Sequence, residues 1–463
     1  ALADKGGNVA VIDINSSGRS RCDLRIFSRL KSLSLLSDSA NVVYLEVIGN
    51  AGKPVSVPES AALRSFVSEC SSAAAKVICC REQLTVGELL KLSADELRSL
   101  SCKFEEVYYG DTRLIKEICM AEPSDSTNGI RENGCYVITG GNGKIAGILA
   151  DKLREKYNCT IVLLGRHMPE SMNDADRFIF CDVTRYYQIK KAFEQLRSDG
   201  IAADGIIHCA GVLADSLLRS KDMFDVFKVT EPKLGGTDNI MKAARKFSVP
   251  KVFLFSSMSS VFGNAGQSDY AFANAYMNYI AESESSEDVS CVSICWPLWK
   301  NGGMKANSND NAIDNDDAFT AFEDTAGRKN TSFIAVNASL SDAKRLYRTE
   351  THFIPIHHEQ TEDKYADTDI AVIGIAGEFP CAEDLYQHLL AQEDAQHQEL
   401  AALLYDMAEG ADSFLWNGPT NVELDNDLIV MDTNRLQNSS NEVKRAQYFN
   451  SLTLCWQLMS QDR

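Results

Sequence analysis

A regular alternation of short apolar strands with helical segments between residues 134 and 304 is the strongest constraint on the fold. The predicted strands are rich in Val, Ile, Leu and Phe, and they are Cys135–Thr139, Thr160–Leu164, Arg177–Cys181, Gly205–Cys209, Val249–Phe255 and Val289–Cys295. Helical periodicity separates them, for example over Tyr187–Leu196 and Asn239–Lys246. Because parallel strands are joined by crossovers that usually contain a helix, this alternation predicts a doubly wound parallel sheet.

Residues 1–122 carry a second mixed α/β pattern, which lacks a glycine-rich turn. Val9–Ile14 and Val42–Ile48 are predicted strands, while Ser60–Ala74 and Val86–Leu97 are predicted helices. A stretch rich in Ser, Asn, Pro and Gly then leads into the doubly wound part. The sequence therefore predicts at least two α/β units.

Charge and cysteine placement limit the partners. Acidic residues outnumber basic ones by 65 to 46, and a formal charge of −19 repels phosphate backbones and anionic lipid headgroups. No apolar run approaches the ~18–20 residues that span a bilayer, and no secretory signal is visible. The 14 cysteines form no CxxC pair and the seven histidines add no zinc-site spacing. We expect a soluble, cytoplasmic fragment with no nucleic acid, membrane or metal partner.

The turn after the first strand of the doubly wound part is suited to a dinucleotide pyrophosphate. Glycine lets the backbone approach the phosphates, and the following helix presents unpaired N–H groups. Ala146 occupies the third glycine position, where it still permits tight packing. A plain tight turn is the alternative. The candidate cofactor residues here are Gly140, Gly141, Asn142, Gly143, Lys144 and Ile145.

The ends of the next two strands indicate which dinucleotide binds. An acidic residue after the second strand would accept the ribose hydroxyl of NAD, but this chain has Arg166. A cation suits the 2′-phosphate of NADP, so we predict NADPH. Asp182 and Val183 follow the third strand and are candidates for the adenine side; a helix N-cap is an equal alternative for Asp182.

Hydroxyl groups follow the strand that should end near the nicotinamide, at Ser257 and at Tyr270. A reductase that delivers hydride to a ketone must also deliver a proton to the developing alkoxide. A phenol can do this if a cation lowers its pKa and a hydroxyl holds the carbonyl. Simple short-chain dehydrogenases place a lysine four residues after the tyrosine, where this chain has Asn274.

This stretch resembles the ketoreductase domain of modular polyketide synthases, in which those lysine and asparagine positions are exchanged. In that family the lysine lies 37 residues before the tyrosine and the serine 13 before, and this chain has Lys233 and Ser257 there. The resemblance implies that Tyr270 is the general acid, that Lys233 lowers its pKa and holds the nicotinamide ribose, and that Ser257 binds the carbonyl. Asn274 would keep a water-linked proton relay. A solvated Lys233 and a packing Tyr270 are the alternative.

The resemblance extends to segments around the site. Cys209, Ala210 and Gly211 look like the segment that lines the cofactor. Pro297 lies in a stretch, residues 295–304, that resembles the nicotinamide-side loop in its trans-acyltransferase form.

Three further positions resemble the family's substrate-orienting markers. Asp215 is the retained aspartate of the B-type marker, Phe262 replaces the A-type tryptophan, and Gln267 stands three residues before the tyrosine. The resemblance implies a B-type enzyme with a D-configured hydroxyl product, although Ala214 replaces one marker residue.

With the resemblance, the predicted fold class is α/β with two Rossmann-like subdomains, a truncated structural one and a catalytic doubly wound parallel sheet. The predicted boundaries are 1–122 for the cofactor-free structural subdomain, 123–348 for the catalytic one, 349–368 for a linker and 369–463 for an unassigned tail. Asp369–Pro380 resembles the opening strand of a ketosynthase; a buried strand and turn or a second nucleotide site are alternatives.

The main functional hypothesis is NADPH-dependent reduction of a β-ketoacyl thioester on an acyl carrier protein, beside neighbouring polyketide synthase domains. A free-standing short-chain reductase of small ketones is a second hypothesis, against which Asn274 and the long upstream half count. A non-reducing scaffold that binds carrier protein is a third, and the intact catalytic positions oppose it.

Overall fold

A computed structural model describes the parts of the chain from which the fold follows. These are residues 8–13, 24–36, 41–47, 57–70, 73–80, 86–99, 102–109, 113–116, 129–169, 171–283, 288–302, 312–335, 354–355 and 370–376. Within these ranges no helix is long and apolar enough to cross a membrane. The predicted tail beyond residue 376 lies outside the described residues.

The strands, in chain order, are β1 (Asn8–Asp13), β2 (Asn41–Val47), β3 (Ala74–Cys80), β4 (Phe104–Tyr109), β5 (Arg113–Ile115), β6 (Cys135–Thr139), β7 (Thr160–Gly165), β8 (Arg177–Phe180), β9 (Gly205–His208), β10 (Lys251–Ser257), β11 (Ser290–Trp296), β12 (Thr331–Ile334), β13 (Ile354–Pro355) and β14 (Ile370–Ala376). The α-helices are α1 (Arg25–Leu36), α2 (Pro58–Glu69), α3 (Val86–Arg98), α4 (Lys144–Tyr157), α5 (Tyr186–Ser198), α6 (Met223–Thr230), α7 (Leu234–Phe247), α8 (Ser259–Phe262), α9 (Ser268–Ser283) and α10 (Asn315–Ala326).

The second of two sheets holds the candidate site. Its strand order is β12-β11-β10-β9-β6-β7-β8, and all neighbouring strands are parallel. The chain winds outward from β6 through β7 to β8 and then returns to β9 on the other side of β6. This reversal of strand order opens a crevice at the carboxyl ends of β6 and β9, where doubly wound sheets bind their ligands. The predicted doubly wound parallel sheet is confirmed.

The first sheet has the order β13-β5-β4-β3-β2-β1-β14. Strands β1 to β4 are parallel and are added in one direction, so the strand order does not reverse among them. β14 pairs with β1 in parallel, and β13 pairs with β5 in antiparallel orientation. The predicted linker therefore contains a short strand, and the first strand of the predicted tail joins this sheet. The predicted helix Ser60–Ala74 ends earlier, at Glu69, and Ala74 begins β3.

Local sequence sets where several helices begin and end. Pro58 stands in the first turn of α2, where a missing N–H leaves no hydrogen bond unmade. Asp222 caps α6, since its carboxylate accepts from the N–H of Phe224 at 2.7 Å. Helix α4 ends at Asn158 in the left-handed conformation, with φ +52°. The local sequence therefore accounts for where α2 and α6 begin and for where α4 ends.

The two sheets share packing through helix α9. We call the described residues before residue 129 the first half. Phe272 on α9 is fully buried in the apolar core of the first half, and its ring centroid lies 5.2 Å from that of Phe27. Ala271 and Ala275 on the same helix pack against Ala61 of α2. The helix that carries Tyr270 is therefore part of both halves.

Candidate active site

The glycine-rich turn after β6 is pressed against its neighbours. Gly140 has φ +70°, and a Cβ there would lie 2.9 Å from the backbone nitrogen of Ala210. A Cβ on Gly141 would lie 2.7 Å from that of Leu163 on β7. The N–H of Gly143 donates to the carbonyl of Gly140 at 2.8 Å and closes the turn. Only glycine fits at the first two positions, because a side chain there would collide with Ala210 or with Leu163.

The outer side of this turn is exposed. Asn142, Gly143 and Lys144 lie on the surface, while Ile145 is half-buried and Ala146 is buried in the core. The N-cap of α4 is Gly143, which offers no side-chain acceptor, so the first N–H groups of the helix can serve an anion. The turn thus has the exposed backbone and the unpaired N–H groups that a dinucleotide pyrophosphate would need.

Two side chains lie at the ends of the neighbouring strands. Arg166 follows β7, is exposed, and forms no ion pair with the part of the chain that the structure describes. Asp182 follows β8, and its Oδ1 accepts from the N–H and the hydroxyl of Thr184 at 3.0 and 2.9 Å. Asp182 therefore shapes a turn, whereas the N-cap of α5 is Arg185. Val183 beside it is buried.

His208 at the end of β9 ties three segments together. Its Nδ1 lies 2.7 Å from the hydroxyl of Thr139, and its Nε2 lies 3.1 Å from the carbonyl of Pro232. A carbonyl only accepts, so Nε2 carries the proton and Nδ1 accepts from the Thr139 hydroxyl. The Thr139 oxygen accepts in turn from the N–H of Ala210 at 3.3 Å. Burial and the charge of Lys233 lower the pKa of His208 to about 3, so the ring is neutral.

Lys233 directly follows the carbonyl that His208 holds. Its ammonium group is buried and donates to the carbonyl of Phe255 at 2.9 Å. A Cβ on Gly211 would lie 3.0 Å from its Cε, so the predicted cofactor-lining segment borders this side chain. Burial lowers the pKa of Lys233 to about 8. The Nζ lies 5.8 Å from the centroid of the Tyr270 ring.

Tyr270 lies on the first turns of α9 and is 8% exposed. Burial raises the pKa of its phenol, and hydrogen bonds from Asn274 and Ser257 oppose that rise. Asn274 donates from Nδ2 to the carbonyl of Tyr270 at 2.7 Å, and its buried Oδ1 has no partner among the described residues. The structure therefore brings together Lys233 before α7, Ser257 at the end of β10, and Tyr270 and Asn274 on α9.

Two of the predicted substrate-orienting residues, Asp215 and Gln267, lie on loops, and the third, Phe262, lies on α8. Gln267 donates from Nε2 to Oδ2 of Asp215 at 2.9 Å. Phe262 ends α8 and is half-buried. Pro297 follows β11 and is half-buried, and Cys209 and Ala210 follow β9 in the same state.

Sequence reasoning missed a buried ion pair directly beneath Tyr270. Lys221 donates to Oδ1 of Asp269 at 2.9 Å, and both side chains are almost completely buried. The same carboxylate oxygen accepts from the N–H of Tyr270 at 2.9 Å. A charged residue directly before the candidate acid was the available signal, but the identity of its partner depends on the fold.

Comparison with known proteins decides what kind of domain carries this site. Residues 134–301 match the family model of the KR domain. We call these matched residues the KR domain. The match covers both the glycine-rich turn and the segment from Lys233 to Asn274, so the site lies within the KR domain.

Relatives of the KR domain occur in very large proteins. The chain is 34% identical over 195 residues to polyketide synthase PksN of Bacillus subtilis, which is 38% of this chain and 4% of that protein. It is 35% identical over 192 residues to polyketide synthase ThaG of Burkholderia thailandensis, 38% of this chain and 3% of that protein. The chain thus spans only a few per cent of the length of these relatives.

Solved structures extend the likeness in fold beyond the KR domain. A ketoreductase domain from the bacillaene assembly line matches with a TM-score of 0.62 and 21% identity, covering 74% of this chain and 95% of that one. An N-terminal ketoreductase from the macrolactin assembly line matches with a TM-score of 0.59 and 19% identity, covering 74% and 75%. At these identities the comparison shows the fold, which confirms the predicted α/β class.

Proposed function

We propose that this chain reduces the β-keto group of an acyl thioester to a hydroxyl group with NADPH. The observation that carries the proposal is the convergence of Lys233, Ser257 and Tyr270 beside the crevice of the doubly wound sheet. A phenol, a hydroxyl and a buried ammonium group are what proton delivery to a ketone needs. The polyketide synthase relatives of the KR domain support the same substrate class.

In this mechanism the chain supplies the proton and the geometry, and a nicotinamide, when bound, would supply the hydride. Ser257 donates a hydrogen bond to the substrate carbonyl, and Tyr270 protonates the oxygen as negative charge develops there. The ammonium group of Lys233 lies 5.8 Å from the Tyr270 ring and favours the phenolate that remains. Asn274 offers its unpaired Oδ1 to a water molecule, which would return a proton to the site.

NADPH is the proposed dinucleotide because Arg166, whose guanidinium is exposed, directly follows β7. A cation at this position suits the 2′-phosphate of the ribose. The pyrophosphate would bind the exposed backbone of Asn142, Gly143 and Lys144 and the uncapped start of α4. The adenine side would be bordered by Val183 and by the turn that Asp182 shapes.

We propose B-type stereochemistry with a D-configured hydroxyl, supported by the pairing of Asp215 with Gln267 beside Tyr270. The proposed substrate carrier is the phosphopantetheine arm of an acyl carrier protein, with other polyketide synthase domains as neighbours. The trans-acyltransferase subtype and the ketosynthase-like start at residue 369 also stay proposals.

The test is reduction of a carrier-bound β-ketoacyl thioester by the purified protein. The loss of NADPH absorbance measures the rate, and chiral analysis of the alcohol gives the configuration of the product. Tyr270→Phe should abolish turnover while NADPH affinity, measured by fluorescence, changes less than about twofold, because the phenol holds no part of the proposed cofactor site. Tyr276→Phe is the matched control, since Tyr276 lies on the same helix and its hydroxyl donates to Asp238 at 2.8 Å. It should retain turnover.

Other outcomes separate the alternatives. Failure of the wild-type protein to reduce any β-ketoacyl thioester, while NADPH still binds, would refute the proposed substrate. If the wild-type protein does not bind NADPH, both reductase hypotheses are refuted and the non-reducing scaffold is the hypothesis that remains. Full turnover by Tyr270→Phe would refute the assignment of the general acid.

A further inference from the structure

One carboxylate of the first half reaches two loops of the KR domain. Glu69 ends α2, and its Oε2 accepts from the N–H of Leu218 at 2.7 Å. Its Oε1 accepts from the N–H of Gly266 at 3.0 Å. We call residues 211–218 the Asp215 loop and residues 263–267 the Gln267 loop. A single half-buried carboxylate therefore holds a backbone amide in each loop with charge-assisted hydrogen bonds.

The two loops also hold each other. The N–H of Ser216 donates to the carbonyl of Gly266 at 3.0 Å, next to the hydrogen bond between Asp215 and Gln267. Gly266 thus donates from its N–H to the first half and accepts at its carbonyl from the Asp215 loop. Moving one loop relative to the other would break the hydrogen bond between Ser216 and Gly266 and the one between Gln267 and Asp215.

Lys221 connects this arrangement to the candidate general acid. Its ammonium group donates to the carbonyls of Ala214 and Gly266 at 3.3 and 3.4 Å and to Asp269 at 2.9 Å. The Asp269 oxygen accepts from the backbone of Tyr270. An unbroken series of contacts therefore leads from Gly266 to Tyr270.

The backbone of α2 fits this region closely. Gly263 has φ +67°, and a Cβ there would lie 2.7 Å from the carbonyl carbon of Arg64 on α2. The N–H of Asn264 donates to the hydroxyl of Ser65 at 3.2 Å. Helix α2 is thus the surface on which the Gln267 loop lies, and Glu69 is the charged group at the end of that surface.

We propose that Glu69, outside the KR domain, is a positioning residue for the active site, which it serves by fixing the Asp215 and Gln267 loops. This proposal rests on the proposed reductase function. Glu69 contacts no reacting group. It sets the backbone on which Asp215, Gln267 and Tyr270 stand, so the half without a glycine-rich turn contributes directly to catalytic geometry.

The test compares Glu69→Gln and Glu69→Ala with the wild-type full chain. Glutamine offers one oxygen, so one loop amide loses its acceptor; alanine removes both. We expect kcat/KM for a β-ketoacyl thioester to fall about tenfold for Glu69→Gln and further for Glu69→Ala. NADPH affinity should stay within about twofold, because Glu69 bonds to Leu218 and Gly266 and, among the described residues, to none of the proposed cofactor site. Hydrogen exchange should rise in peptides that cover residues 211–222 and 263–270.

Glu106→Gln is the matched control. Glu106 is a buried carboxylate of the same half that accepts from the Ser60 hydroxyl at 2.8 Å and from Lys116 at 3.2 Å, and neither partner belongs to the Asp215 or the Gln267 loop. It should lower thermal stability while kcat/KM and loop exchange remain as in the wild type. An equal loss of kcat/KM in this control, or unchanged exchange in both Glu69 variants, would overturn the proposal. Inactive wild-type protein would refute the reductase function, and the exchange measurement would still decide the role of Glu69.

Discussion

Replacing His208 with glutamine should make the free energy of unfolding less sensitive to acid. The folded state holds this imidazole neutral, with its pKa lowered to about 3 by burial and by Lys233. An unfolded chain protonates the ring near its ordinary pKa of about 6.5. Because the unfolded state binds the additional proton, stability is lost as pH falls through about 6.5 toward 3.

The magnitude follows from those two pKa values. Between pH 8 and pH 5 the linkage relation gives a loss of about 2 kcal/mol from His208 alone. Glutamine does not titrate, and it keeps a donor near the Pro232 carbonyl while losing the contact to the Thr139 hydroxyl. We expect His208→Gln to be less stable at pH 8 by about 1 kcal/mol and to regain about 2 kcal/mol relative to the wild type at pH 5.

Urea unfolding of the cofactor-free protein at pH 5, 6, 7 and 8 measures this difference. Every other titrating group is common to both proteins, so its contribution cancels in the comparison. His167→Gln is the control, because His167 is exposed and its ring is hydrated in both states. If the stability difference between wild type and His208→Gln stays constant across this pH range, the neutral buried imidazole is refuted.

Three further substitutions test other parts of the molecule. Gly140→Ala forces a side chain into a left-handed backbone 2.9 Å from Ala210, so thermal unfolding should show a loss of about 1–3 kcal/mol and fluorescence titration a weaker NADPH affinity. Arg166→Asp should shift the ratio of kcat/KM values for NADPH and NADH at least about tenfold toward NADH, because a carboxylate repels the 2′-phosphate; an unchanged ratio would contradict the assigned contact. Phe272→Ala removes a ring buried against Phe27 and should cost about 3–5 kcal/mol in denaturant unfolding, and a loss below 1 kcal/mol would contradict the shared core.

The doubly wound sheet was predictable because its strands are buried on both faces. A strand such as Ile161–Leu164 then shows as a continuous apolar run, and a helix must follow each run. The spacing of Lys233, Ser257 and Tyr270 was also visible in the amino-acid sequence. The structure brings these side chains together, while their roles stay predictions.

Contacts between distant segments were not predictable. Glu69 lies 149 residues before Leu218 and 197 before Gly266, and no local pattern marks a carboxylate for amides so far away. The helix predicted over Ser60–Ala74 extended too far because small residues continue from its end into β3 without a Gly or Pro to mark the boundary. Strand β14 joins the first sheet from the far end of the described chain, which hydrophobic periodicity cannot indicate.

The alanine contact between α2 and α9 has a consequence for protein engineering. Ala61, Ala271 and Ala275 are buried together where the two helices meet, so a larger side chain at any of these three positions would overpack that contact. A chimera that joins this KR domain to the N-terminal half of another protein must therefore match small residues at all three positions. The compatible unit for exchange therefore includes both helices, and a hybrid that takes α2 and α9 from the same parent is expected to be soluble more often than one with a crossover between the halves.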